Sequence, residues 1–311
     1  MDKPTGSFVA MITPFNQDGT VDFGGFRTLL DMQQRHGTGA VLIMGSTGEV
    51  SMLSAEERKR IVEETLKYRT GGMSFWYGCT GNNTDTTIDY VRHAAAAGAD
   101  GAIIAAPAYI CAPEADIERF FMDVADASPM PIGIYNNPPR VSTDLSADAI
   151  LRLAQHPNIV VNKESTARVG QAGKLAAGRP DMSLMCCDSP NLGLVVPTMT
   201  LGGHGTANMS GNIIPAEMAV ISKPWTEAGD AQNFQDMYLR MLPMLHFCYS
   251  AINPVPVKSL MRAVGLPAGA LRRPLTGLQG AALQAGLDII RDLELDKQYG
   301  FALNKVAAAA E

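Results

Sequence analysis

Apolar residues recur in short runs through the first two thirds of the chain, and each run is followed by a stretch with helical spacing. Runs at residues 8–12, 41–44, 75–79, 102–106, 131–135, 159–163, 183–187 and 205–209 predict eight strands. Their spacing of roughly 22–34 residues leaves room for a strand, a loop and a returning helix. Helix boundaries are written between them. Ser54-Ala55-Glu56-Glu57 has the form of a capping box ahead of Ile61 and Val62. Asn83-Thr84-Asp85 opens a helix that runs to Ala97, where Gly98 supplies a left-handed end. Two units even resemble each other, Gly37-Thr38-Gly39-Ala40-Val41-Leu42-Ile43 and Gly98-Ala99-Asp100-Gly101-Ala102-Ile103-Ile104. Eight such units in about 220 residues predict an α/β fold, a (β/α)8 TIM barrel, over an open doubly wound sheet. No phosphate-cradling glycine motif follows the first strand, which weakens the open sheet further.

After Pro224 the periodicity changes. Helical spacing runs through 234–247, 257–264 and 278–293 with no strand-like run between, so a barrel over 1–224 and a small C-terminal helical extension over 225–311 are expected. Packing beside the barrel, or building an oligomer interface, are the uses expected of it. Residues 306–311 are low in complexity and read as a frayed or added tail.

Composition narrows the class. The 311 residues are 46% hydrophobic and 18% charged, with a net charge of −6, which argues against a nucleic-acid or basic membrane surface. No apolar stretch reaches spanning length, and Met1-Asp2-Lys3-Pro4 lacks the layout of a signal peptide. The five cysteines form no CxxC pair, as expected of reduced thiols in a cytoplasmic protein. Five scattered histidines show no metal-ligand spacing, and neither a metal nor an organic cofactor is expected.

The chemistry gathers where a barrel places it, at the C-terminal ends of strands. Lys163 ends the β-branched run Ile159-Val160-Val161-Asn162-Lys163. Burial disfavours an ammonium and favours the neutral amine, which can attack a ketone and form a Schiff base. A strand-end lysine can equally snorkel to water. Gly45-Ser46-Thr47-Gly48-Glu49 follows the second strand; its backbone N–H groups and two hydroxyls suit a small carboxylate, or simply cap a helix. Tyr109 follows the fourth strand, and Tyr135 ends the fifth in Tyr135-Asn136-Asn137-Pro138-Pro139-Arg140. A tyrosine hydroxyl near an amine can relay protons, although each tyrosine alone also fits a packed aromatic.

In these motifs the chain resembles the dihydrodipicolinate synthase and N-acetylneuraminate lyase group of class I aldolases. The likeness runs from Thr13-Pro14-Phe15 to the C-terminal helices, with GSTGE, YNxPxR and xKES in the family's order. It implies that Lys163 forms the imine with pyruvate or another 2-oxo acid, and that Tyr135 transfers protons. It further implies that Thr47 links Tyr135 toward Tyr109, which crosses a tight dimer interface to complete the neighbouring site. Ser46 and Thr47 would hold the 2-oxo acid's carboxylate, with Ala207 also on the substrate-binding side. Arg140 would meet the distal carboxylate of aspartate semialdehyde, and the chain would assemble as a dimer or a dimer of dimers. A guanidinium suits that role because its planar fork matches a carboxylate.

The chain also departs from the synthase pattern. Ala108 stands where synthases often have another tyrosine, Cys187 where a glycine is expected, and Glu164-Ser165-Thr166-Ala167-Arg168 replaces Glu-Ala-Thr-Gly-Asp. A 2-keto-3-deoxy sugar-acid aldolase or dehydratase, or a related deaminase, therefore stands beside the synthase as an alternative. A catalytically silent 2-oxo-acid-binding regulator stands further off.

Overall fold

Alternation along each strand decides which side chains enter the barrel and which face its helices. In the computed structural model, which describes residues 3–303, the strands are β1 (Gly6–Ala10), β2 (Ala40–Ile43), β3 (Ser74–Gly78), β4 (Gly101–Ala105), β5 (Ile132–Asn136), β6 (Ile159–Glu164), β7 (Ser183–Cys186) and β8 (Gly205–Asn208). They pair in parallel and in chain order, and β8 closes onto β1, so the expected (β/α)8 barrel is formed and its sheet has no free edge. The low-complexity tail at 306–311 lies outside the described residues.

Phe8, Ala10, Leu42, Trp76, Ile103, Met185 and Ala207 make one buried cluster that fills the lumen. Their strand neighbours Val9, Val41, Ile43, Phe75, Tyr77, Ile104 and Ile134 join the larger core between sheet and helices. Trp76 and Phe8 meet edge to face, with centroids 6.0 Å apart. Gly101 leaves the space the indole occupies, since a Cβ there would lie 2.3 Å from the Trp76 ring.

One irregularity matters for the site. Ile132 pairs with Ile159, but the next residue, Gly133, pairs with Val161, so β6 carries an extra residue at Val160. Beyond this bulge Tyr135 stands opposite Lys163. Val161 belongs to the lumen cluster, and Lys163, two positions on, enters the lumen beside Tyr135. A regular pairing from Ile132 and Ile159 would have set Tyr135 against Asn162, whose side chain faces the other way.

The helix ends follow the expected chemistry. Ser54 Oγ accepts from Glu57 N while the Glu57 carboxylate accepts from Ser54 N, opening the helix Ala55–Leu66. Asn83 caps Thr84–Ala97, and Gly98 ends it at φ 97°. Helices Asp230–Cys248, Val255–Ala263, Gly280–Asp292 and Leu295–Tyr299 close the chain. The link between the first two, 249–254, turns back over the barrel mouth. No described helix is long and apolar enough to cross a membrane.

Candidate active site

The ends of β2, β5, β6, β7 and β8 open onto one cavity of about 480 Å³, lined by Thr47, Tyr135, Asn137, Arg140, Lys163, Ser165, Cys187, Ser189, Ala207, Tyr249 and Asn253 among others. Lys163 is 4% exposed. Its Nζ lies 4.4 Å from the centre of the Tyr135 ring, and no described residue pairs with it as an ion or bonds to it. The residue lines the cavity, so a small molecule bound there meets its side chain.

Tyr135 Oη accepts a 2.6 Å hydrogen bond from Asn137 Nδ2. The phenolic proton therefore remains free to be given to a bound substrate. Thr47 Oγ1 accepts from Asn253 Nδ2 at 3.1 Å, so among the described residues the threonine is tied to the C-terminal segment, with no direct bond to Tyr135. Arg140 donates to Asn253 O at 3.2 Å and keeps the rest of its guanidinium on the cavity wall. Ala207 lines the floor from β8.

A second cavity of about 630 Å³ adjoins the first and shares Tyr135, Asn137, Arg140, Ile252 and Asn253 with it. Ser46 lines this second space, while Thr47 lines the first. Ser46 and Thr47, adjacent in GSTGE, thus sit where the two adjoining cavities meet. Tyr109 is in neither. It is fully exposed at φ 74°, next to Ile110 at 65% exposure, so a single chain does not bring it to Lys163.

Behind the cavity the electrostatics are specific. Asp188 is buried and accepts from Met209 N, Ser210 N and Tyr249 Oη, at 3.0, 2.9 and 2.5 Å. Burial and then the Asp188 charge hold the Tyr249 phenol well above its ordinary range, so it stays a donor to that carboxylate. Burial likewise raises the Cys187 thiol, which keeps it neutral beside the amine. Glu164, one residue past the lysine, faces the outer layer, where Asn136 Nδ2, Ser165 N and Gln171 Nε2 all donate to it. Burial still pushes its carboxyl up to about 7. Ser165 is buried on the cavity wall, its hydroxyl beside the Cys187 thiol.

Sequence reasoning did not reach Asn137, Asn253, Tyr249 or Asp188. Asn137 sits inside a motif that drew attention only for its flanking tyrosine and arginine. Asn253 and Tyr249 come from a loop whose residues carry no periodicity; the dipeptide Asn253-Pro254 between two helical stretches was the available signal. Among the described residues no cluster of His, Cys, Asp and Glu could hold a metal ion.

Residues 3–292 match the Dihydrodipicolinate synthetase family. The chain is 37% identical over 278 residues to a 4-hydroxy-tetrahydrodipicolinate synthase of Gluconacetobacter diazotrophicus, covering 88% of this chain and 91% of that protein. The solved dihydrodipicolinate synthase from Aquifex aeolicus superposes with a TM-score of 0.88 at 29% identity, covering 94% of this chain and 98% of its own. The chloride-inhibited dihydrodipicolinate synthase from Acinetobacter baumannii, solved in complex with pyruvate, superposes at 0.86 and 27% identity, covering 94% and 99%.

Proposed function

Because the chain belongs to the dihydrodipicolinate synthetase family, a family of class I lyases that work through a lysine Schiff base, we propose that it condenses pyruvate with aspartate semialdehyde on Lys163. The neutral Lys163 amine attacks the keto carbon to give a carbinolamine, which loses water to become an imine. Loss of a proton from the adjacent methyl yields the enamine, with Tyr135 as the group that gives and takes protons. The enamine carbon adds to the aldehyde carbonyl, whose oxygen takes up a proton; the amino group of the added aspartate semialdehyde then attacks the re-formed imine carbon, closing a ring as the bond to Lys163 breaks and the lysine leaves as the free amine. Ser46 and Thr47 hold the pyruvate carboxylate through hydroxyl and backbone N–H donors, with Ala207 closing the floor. Arg140 meets the distal carboxylate of the aldehyde. The lysine imine is itself the electron sink, so the reading calls for no added metal or organic cofactor, and the five free cysteines fit an enzyme of the cytoplasm. It also makes the working unit an oligomer, in which a second chain covers Tyr109 and Ile110 and Tyr109 completes the neighbouring site.

The observation that carries this reading is the pairing of Tyr135 with Lys163 across β5 and β6, both facing one cavity, the amine without a counter-ion. A second reading runs the same enamine backward, on a 2-keto-3-deoxy acid. That reading would use Ser165, whose hydroxyl on the cavity wall lies beside the Cys187 thiol, to meet a hydroxyl of the substrate. Steady-state assays with both substrate sets decide. Turnover of pyruvate with aspartate semialdehyde at a kcat/KM well above that for any 2-keto-3-deoxy acid is expected; the reverse order overturns the synthase assignment.

A further inference from the structure

The loop that faces the substrate's carboxylate is anchored from a distance. Glu49 ends GSTGE in a left-handed conformation, φ 56°, with its side chain fully buried. Its Oε1 pairs with Lys258 Nζ at 2.5 Å, and its Oε2 accepts from Arg272 N at 2.8 Å. Lys258 Nζ donates as well to Thr13 O at 2.8 Å, and Thr13 Oγ1 donates to Gly48 O at 2.6 Å. One ammonium therefore ties the segment after β1 to the loop after β2. The same C-terminal stretch reaches Thr47 itself through Asn253.

Burying both members of an ion pair is costly, and an apolar pair of similar volume often serves stability as well or better. The charged pair adds direction. Three hydrogen bonds fix the carboxylate and the ammonium, and through them the path of the backbone that ends at Glu49. We propose that Glu49 and Lys258 are positioning residues for the 2-oxo-acid carboxylate: they touch no substrate but set the loop that presents Ser46 and Thr47 to it. The C-terminal segment is thereby part of the binding machinery of the barrel.

This inference rests on the reading that the Lys163 cavity takes a 2-oxo acid, so the experiment keeps the two apart. Full-length Glu49→Gln is compared with Glu57→Gln, which loses its pairing with the same Arg272 but makes no bond to residues 45–49. KM for pyruvate, kcat, melting temperature and the pyruvate concentration needed for half-maximal borohydride trapping are measured for each. Glu49→Gln should raise KM and the half-trapping concentration roughly tenfold, leaving kcat at saturating pyruvate within about threefold. Glu57→Gln should lower the melting temperature and leave both concentrations unchanged. If Glu49→Gln does not fold, the double variant Glu49→Gln/Lys258→Met, in which neither charge is stranded, should move the same two concentrations in the same direction. A lowered melting temperature with unchanged pyruvate concentrations in the folded variants overturns the proposal while leaving the catalytic reading intact. Failure of the unaltered enzyme to trap any 2-oxo acid overturns both.

Discussion

Two lysines are buried at the mouth of this barrel, and they are buried in opposite ways. Lys258 is 1% exposed and its Nζ donates to Glu49 and Thr13, with the Phe15 ring 4.2 Å away. Lys163 is 4% exposed and faces a cavity and one aromatic ring, with no counter-ion among the described residues. Burial pushes the Lys258 amine down to about 8 despite the opposing Glu49 charge, yet its lone pair has no space to act in. Burial alone does not make a lysine a nucleophile. What distinguishes Lys163 is an unpaired nitrogen beside a space that a substrate can enter.

The strongest way to break this contrast is to remove each lysine in turn. Lys163→Ala should cut turnover by at least about 10³-fold, because the proposed nucleophile is lost. Its denaturation midpoint should stay level or rise, since no native partner is orphaned. Turnover near that of the unaltered enzyme would move the chemistry elsewhere. Lys258→Met should do the reverse. It strands the Glu49 carboxylate in the interior, and chemical denaturation should show a loss of about 3–5 kcal/mol. Adding Glu49→Gln to Lys258→Met should recover part of that loss, because the stranded charge is gone; an equally unstable double variant would count against the pair.

Glu164 sharpens the contrast more gently. Its carboxyl is raised from 4.5 to about 7 by burial, so the folded state holds a proton that the unfolded state has released across that window. Stability contributed here falls as pH rises from about 4.5 to about 7, and the full penalty stands above that. In Glu164→Gln the penalty is absent, so the stability of the variant relative to the unaltered protein should improve by roughly 2 kcal/mol between pH 5 and pH 8. Denaturation series at both pH values would check it, and a constant difference would mean that Glu164 does not titrate in that range.

Much of the fold was legible because each barrel unit repeats one local rule. An apolar run of four to six residues, a capped helix and a left-handed glycine end are all short-range signals, and they place β2, β6 and the helices flanked by Ser54, Asn83 and Gly98 within a residue or two. Lys163 and Tyr135 stood out because polar groups at the ends of apolar runs break the pattern. The bulge at Val160 was not legible, since Ile159-Val160-Val161 reads as a strand in either register. Yet that single residue decides whether the lysine faces the tyrosine. Lys258 was hidden for the opposite reason. On an amphipathic helix it reads as an ordinary solvated charge, and its partner lies 209 residues away. Asn253 and Tyr249 reach the cavity from an irregular link, where no periodicity announces which side chains turn inward.

The central claim, that the unpaired lysine is the one that binds substrate covalently, is tested most directly by borohydride reduction in the presence of pyruvate, followed by peptide mass spectrometry. A reduced pyruvyl adduct on the peptide carrying Lys163, and none on the peptide carrying Lys258, is the predicted result. An adduct on another lysine, or none on folded protein at saturating pyruvate, would contradict it.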